Sequence, residues 1–175
     1  MNRREFLRSG DIVICARSGI VGWGARLLRW PFGHHAGLLR VAETARGRVY
    51  YILEAVFPWV RLRALREDDW ERIHVYRVIG ATLEDGKKAW QAGLLYVGQL
   101  YGWPKAARLI VRRAFWVLRR WRPAYVLVAT APVFCSELCT LCWREGPGKD
   151  PVPGMKAEDV APQHLAESEA TWRVY

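Results

Sequence analysis

Apolar and polar positions alternate with the short period of strands along much of the first half of the chain, and change to a helical period in the second half. Gly10-Asp11 signals a turn, and the apolar run Ile12 to Ala16 predicts a short buried strand. Apolar residues at near-helical spacing from Ile20 to Trp30 predict a short helix. Pro31 stops it, because proline lacks the N–H that a continuing helix needs. Ala36 to Val41 and Val49 to Ala55 predict two antiparallel strands joined through the polar stretch Glu43 to Arg48. Val60 to Leu65 alternates apolar with basic residues, as a half-exposed strand does, and Ile73 to Val78 supplies another strand.

The helical period begins at Leu83 and runs to about Tyr101, with Thr82 as N-cap and Glu84 and Asp85 at the positive pole of the first turn. Pro104 breaks it. Lys105 to Trp121 then carries one apolar stripe and one basic stripe, predicting a basic amphipathic helix over 105–122. Tyr125 to Ala129 is strand-like, Val133 to Glu145 predicts a helix that Gly146-Pro147-Gly148 ends, and the remainder reads as a proline-rich surface strap. There is no internal repeat and no low-complexity tract. The expected fold class is α+β, with one small antiparallel sheet packed against helices. At 175 residues the chain is long enough for one core and too short for two linked domains, so residues 1–175 form a single domain.

Composition adds a charge argument. The chain holds 22 arginines and 5 lysines against 17 acidic residues, a net charge of +10. Such a field attracts phosphates, nucleic acid or acidic lipid, although a plain arginine-rich composition accounts for the number equally well. No stretch approaches the roughly 18–20 apolar residues of a membrane-spanning helix. Residues Asn2 to Arg8 look like a twin-arginine export signal, but Asp11, Arg17, Arg26 and Arg29 interrupt the apolar stretch such a signal requires. Of the four cysteines, at 15, 135, 139 and 142, three lie close together on one helix, a spacing that disfavours disulfides and suits a reducing compartment. The expected location is therefore cytoplasmic, peripheral to a membrane where the basic helix engages one.

Cys135 carries the clearest chemistry. It falls in the first turn of its predicted helix, where unpaired N–H groups and the helix dipole stabilise an anion. A thiolate there has a lowered pKa and becomes a nucleophile near neutral pH, and the same amides can hold the oxyanion of a tetrahedral intermediate. A buried packing cysteine is the rival reading, and it is the preferred one for Cys139 and Cys142. His35 enters a strand after a Pro-Phe-Gly turn and supplies the imidazole that thiol activation requires. His34 is adjacent, and only one of the two can face the cysteine. Glu54 is the odd acid in the apolar run Tyr51 to Ala55, where it could orient the imidazole.

Together, the GDIV of residues 10–13, the HAGLL of 35–39, the LEA of 53–55, Tyr101 in GQLYGW and the FCSEL of 134–138 resemble the circularly permuted branch of the NlpC-type papain-like cysteine hydrolases. That is the YiiX/YebB-like group, distantly related to lecithin retinol acyltransferase. The similarity covers nearly the whole chain in order and ends with Asp159-Val160-Ala161-Pro162, which is similar to the group's closing strap. It implies a permuted papain-like fold and hydrolysis of an amide or acyl bond through a thioester, as in a cysteine peptidase (thiol protease) or amidase. By the same resemblance Cys135 is the nucleophile, His35 the base, Glu54 the orienting acid, and Tyr101 a helper at the oxyanion or substrate. It implies no cofactor and no metal. Two departures stand out: His34-His35 replaces the usual Ser-His, and Tyr101-Gly102 replaces the frequent Tyr-Asp.

Peptide, N-acyl or lipid-like molecules are the expected substrates, with an anionic membrane surface as partner through the 105–122 helix and no specific nucleic acid. A lipid-directed acyl hydrolase or acyltransferase is the alternative activity, and a non-catalytic anion- or membrane-binding protein the alternative of another class. The spacing Cys135-x3-Cys139-x2-Cys142 also matches that of radical S-adenosylmethionine iron–sulfur enzymes. In those enzymes most of a barrel follows the motif, whereas only 33 residues follow Cys142.

Overall fold

The computed structural model describes residues 3–15, 35–45, 47–102 and 133–175. The predicted helix at 20–30, the basic helix at 105–122, the strand-like run at 125–129 and His34 lie outside the described residues. Among those described, strands β1 (Ile12–Cys15), β2 (His35–Thr44), β3 (Gly47–Val56), β4 (Trp59–Ala64), β5 (Ile73–Val78) and β6 (Thr171–Arg173) form one sheet in the order β4-β3-β2-β1-β5-β6. Every neighbouring pair is antiparallel. Helices α1 (Leu83–Leu94), α2 (Cys135–Glu145) and α3 (Pro162–Glu167) complete the α+β architecture.

Strand alternation divides the core in two. Ile12, Ile14, Leu38 and Leu53 face α1 and α2, while Val13, Leu39, Ile52 and Val75 pack with Leu7 and Trp70 on the opposite side. Both faces are covered, so the central strands read as apolar runs rather than as the clean alternation of an exposed sheet. A buried ion pair closes the entry to β1: the Arg77 guanidinium donates to both oxygens of Asp11, at 2.8 Å each. Trp143 Nε1–H donates to the carbonyl of Gly10 at 3.1 Å and ties α2 to the same turn.

Helix α1 starts where expected. Asp85 N–H donates to Thr82 Oγ1 at 3.1 Å while the Asp85 carboxylate accepts from Thr82 N–H at 2.8 Å, a reciprocal cap. It ends at Leu94, not Tyr101. Gly98 takes a φ of +86°, and Gly98 N–H and Gln99 C=O bond across to Val60, so the chain leaves helical geometry to dock on β4. The tail is also more structured than a strap: it contains α3 and the edge strand β6. Three residues of β6 are too few for a sheet pattern to register in sequence.

Two glycines set the approach of α1 to the sheet. A Cβ at Gly86 would lie 2.1 Å from the Ser9 carbonyl oxygen, and one at Gly10, whose φ is +90°, would lie 2.4 Å from Gly86 Cα. Both clashes are with backbone, so Gly86→Ala should lower stability by about 1–3 kcal/mol despite alanine's better helix propensity. Chemical denaturation measures this; an unchanged or raised midpoint would contradict the close approach.

Candidate active site

Phe134 has extended backbone (φ −104°, ψ 174°), and helix α2 begins at the next residue, Cys135. Glu137 reaches back to accept from Phe134 N–H at 3.3 Å, so the helix entry is capped by its own third residue. Cys135 is therefore held at the amide pole, one position more definite than the first turn predicted from sequence. Ser136, beside it, is fully buried and donates its hydroxyl to Val160 C=O at 2.6 Å. Here the Asp159–Pro162 segment does act as a strap, pinned against the start of α2.

His35 is the first residue of β2, and Glu54 lies on β3 opposite Gly37, a diagonal neighbour of His35 across the strand pair. His35 Nε2 and Glu54 Oε2 are 2.8 Å apart, with both side chains buried. With Nε2–H given to Glu54, the ring's other nitrogen is left for the Cys135 sulfur, close enough that each group shifts the other's titration. The backbone amides of Ala36 and Ser136 also favour the thiolate form of Cys135. Cys135, His35 and Glu54, predicted from positions up to a hundred residues apart, are thus in contact as a chain of three.

Beyond Glu54 lie two residues that the sequence reading did not single out. Arg61 donates Nε–H and Nη2–H to Glu54 Oε1 at 3.1 and 3.0 Å, and Arg63 donates Nε–H to the same oxygen at 3.1 Å. Arg63 is held in turn by Asp69, at 2.6 Å. The available signal was the alternation in Val60 to Leu65: Arg61 and Arg63 sit two apart, on the face of β4 that Glu54 shares on β3.

Burial alone would push the Glu54 carboxyl up, but the hydrogen bond and charge of His35, then the charge of Arg63 and the hydrogen bond from Arg61, hold it down at about 2. For His35 the largest influence, burial, disfavours the imidazolium; hydrogen bonds and charge from Cys135 and Glu54 outweigh it and raise the group to about 9. Burial likewise opposes a Cys135 thiolate, and the His35 hydrogen bond and charge with the two amides overcome it, lowering the thiol below its ordinary value. Both shifts run toward a thiolate–imidazolium pair. Cys139 and Cys142 contrast with it. Both are completely buried against the sheet, and burial pushes their thiols up, as suits packing residues.

Tyr101 comes to the same neighbourhood through its backbone. It forms an isolated parallel bridge with Val133, two residues before Cys135, and its N–H bonds to Pro58 C=O at 2.8 Å.

A comparison with solved structures finds the metalloprotein YiiX of Escherichia coli O157:H7, which superposes with a TM-score of 0.60 over 96% of both chains at 17% sequence identity. The chain has the fold of YiiX. No family model matches it, and no curated protein matches it. The YiiX-like architecture is the part of the expected resemblance that the superposition carries. Among the described residues no helix is long and apolar enough to cross a membrane.

Proposed function

We propose that the chain is a cysteine hydrolase of the permuted papain-like type, acting on an amide or related acyl bond. The observation that carries this reading is a thiol at the first position of a helix, beside a buried histidine that lowers its pKa and that is itself bonded to a buried glutamate. In this reaction the Cys135 thiolate attacks the substrate carbonyl, and the amides at the start of α2, including that of Cys135 itself, stabilise the oxyanion. His35 then gives its proton to the leaving group, and a thioester to Cys135 forms. Water, deprotonated by His35, attacks the thioester and releases the acid and the free thiolate. Glu54 keeps the imidazole oriented through both proton transfers. Tyr101 serves near the oxyanion or the substrate.

YiiX is described as a metalloprotein, and the donors here do not suit a cation. Both oxygens of Glu54 are taken, one by His35 and one by two guanidiniums. The same guanidiniums would repel a metal, leaving Cys135 and one nitrogen of His35 as donors. Among the described residues no group of three or more His, Cys, Asp or Glu side chains is placed to hold a metal. No step is therefore assigned to one.

Alkylation by iodoacetamide tests the nucleophile. At about pH 6 an ordinary thiol is almost wholly protonated, so Cys135 should label far faster than Cys15, and His35→Ala should remove the difference. Equal rates at the two cysteines, or a rate indifferent to His35, would overturn the proposal. The pH dependence has a defined sign. His35 bears a proton up to about 9, so the ion pair should persist through neutral pH and be lost as pH rises through that value. Since His35 is raised from 6.5, its contribution to folding is complete below that pH and declines across the interval up to about 9.

A further inference from the structure

The Glu54 carboxylate has more positive partners than its single charge requires. Oε2 meets His35 Nε2 at 2.8 Å, while Oε1 accepts three N–H groups, two from Arg61 at 3.1 and 3.0 Å and one from Arg63 at 3.1 Å. One counter-charge offsets a buried carboxylate, and a protonated His35 already supplies it. Asp69 balances Arg63 at 2.6 Å, and is itself fixed by accepting from Arg66 N–H at 2.8 Å. Among the described residues Arg61 gives its hydrogen bonds to Glu54 alone. The surplus positive charge therefore rests on the oxygen next to the one that His35 uses.

Sheet register builds this arrangement. Arg61 is the β4 partner of Glu54, Arg63 lies two residues further along, and His35 is diagonal to Glu54 on β2. Side chains two apart share a face, so all four project to one side of the sheet, where the turn Glu67–Arg72 brings Asp69. Among the described residues His35 meets Glu54 from β3 and Cys135 from α2, and its register partner on β1 is Cys15. Arg61 and Arg63 of β4, with Asp69 behind Arg63, stand on the far oxygen of Glu54.

We propose that Arg61 and Arg63 are positioning residues of the reaction: by sharing the charge of Glu54 they weaken its hold on the His35 imidazolium, so that His35 can release its proton to the leaving group. This role rests on the hydrolase reading of the site. As the carbon–nitrogen bond breaks, the amine takes the electron pair of that bond and the proton from the His35 nitrogen that faces Cys135. His35 is left neutral, with Nε2–H still on Glu54. A buried carboxylate that gave its whole charge to the imidazolium would hold that proton back, because charge pairs strengthen in a dry interior. Proton transfer becomes less favourable as the acid weakens. Both arginines lower the Glu54 carboxyl, which makes it the weaker base this role requires.

Nitrogen NMR of the full chain with isotope-labelled histidine follows the His35 ring directly and needs no substrate. In Arg61→Gln and in Arg63→Gln its titration should move up from about 9 by roughly half to one pH unit. Arg63→Lys keeps the charge and should return it toward the wild-type value. Turnover gives a second reading. Its alkaline limit should rise in the glutamine variants, and kcat should fall about threefold on a nitroanilide, whose amine needs the proton. The nitrophenyl ester of the same acyl group should be almost unaffected, because its leaving group departs as an anion. Mere support of the Glu54 side chain predicts the opposite sign, since a loosened carboxylate would lower the titration as Glu54→Gln does. A His35 titration that falls or stays in place in the glutamine variants would overturn the proposal. Arg61, the more exposed of the two, keeps the test available if Arg63→Gln does not fold. An unmoved titration with turnover still lost in Cys135→Ala strikes only the role of the arginines, whereas turnover that survives Cys135→Ala strikes the hydrolase reading and this role with it.

Discussion

Cys135→Ala should reduce turnover of an activated acyl or amide substrate to the uncatalysed level, while leaving the fold intact. Removing the nucleophile of a unit that acts together costs about as much as removing the whole unit, and losses beyond about 10³-fold are the ordinary scale. The side chain is small and lies at the helix entry, so alanine leaves only a shallow void. Mass spectrometry with fragmentation supplies the matching evidence: an acyl adduct should accumulate on Cys135 and not on Cys15 or Cys139. Turnover retained by Cys135→Ala would remove the hydrolase assignment at its base. His35→Ala should cost about 10²–10⁴-fold, the range of a lost general base.

Glu54→Ala carries the second large effect, and it falls on stability as well as activity. The substitution strips a fully buried carboxylate from His35, Arg61 and Arg63 together. Breaking a buried charge cluster by removing one partner costs several kcal/mol; because Arg61 and Arg63 retain contact with water, about 3 kcal/mol is expected. For a chain of this length that lowers the melting temperature by roughly 6–12 °C. Glu54→Gln separates the two roles. The amide oxygen still accepts from His35 Nε2–H, so most stability should survive, but the charge that supports the imidazolium is gone. The alkaline limit of turnover, where His35 loses the proton it gives to the leaving group, should then fall below the wild-type value of about 9. An unshifted limit would mean that Glu54 serves packing and not the charge of His35. In the wild type, Glu54 is lowered from 4.5 to about 2, so its contribution to stability is complete above 4.5 and is lost as pH falls through about 2.

The legibility of this protein differed from residue to residue. Five of the six strands were readable because Ile12, Leu38, Leu53, Val60 and Val75 belong to apolar or alternating runs long enough to show a period. β6 was not, because three residues at a sheet edge carry no period. The end of α1 was overrun to Tyr101, since Leu94, Leu95 and Leu100 still look helical by composition. Only Gly98, which needs its positive φ to turn the chain onto β4, marks the departure. Cys135 was legible from a local signal, the start of a helix after a proline. Glu54 was legible from its incongruity, one acid in an apolar run. Arg61 and Arg63 were read as the solvent side of a strand, which is how alternating basic residues usually behave.

By itself, then, the sequence determined what depends on near neighbours: the period of the five longer strands, the cap of α1 by Thr82 and Asp85, and the position of Cys135 at a helix entry. The tertiary structure decided what depends on distant partners. It placed Glu54 diagonally from His35 across β2 and β3, turned two arginines onto the carboxylate, and brought Tyr101 against Val133. It also lowered the Cys135 thiol and raised His35. The physical reason is that a pKa depends on burial and on the charges within a few ångströms. For Cys135 and His35 those neighbours come from strands and helices far apart in the chain.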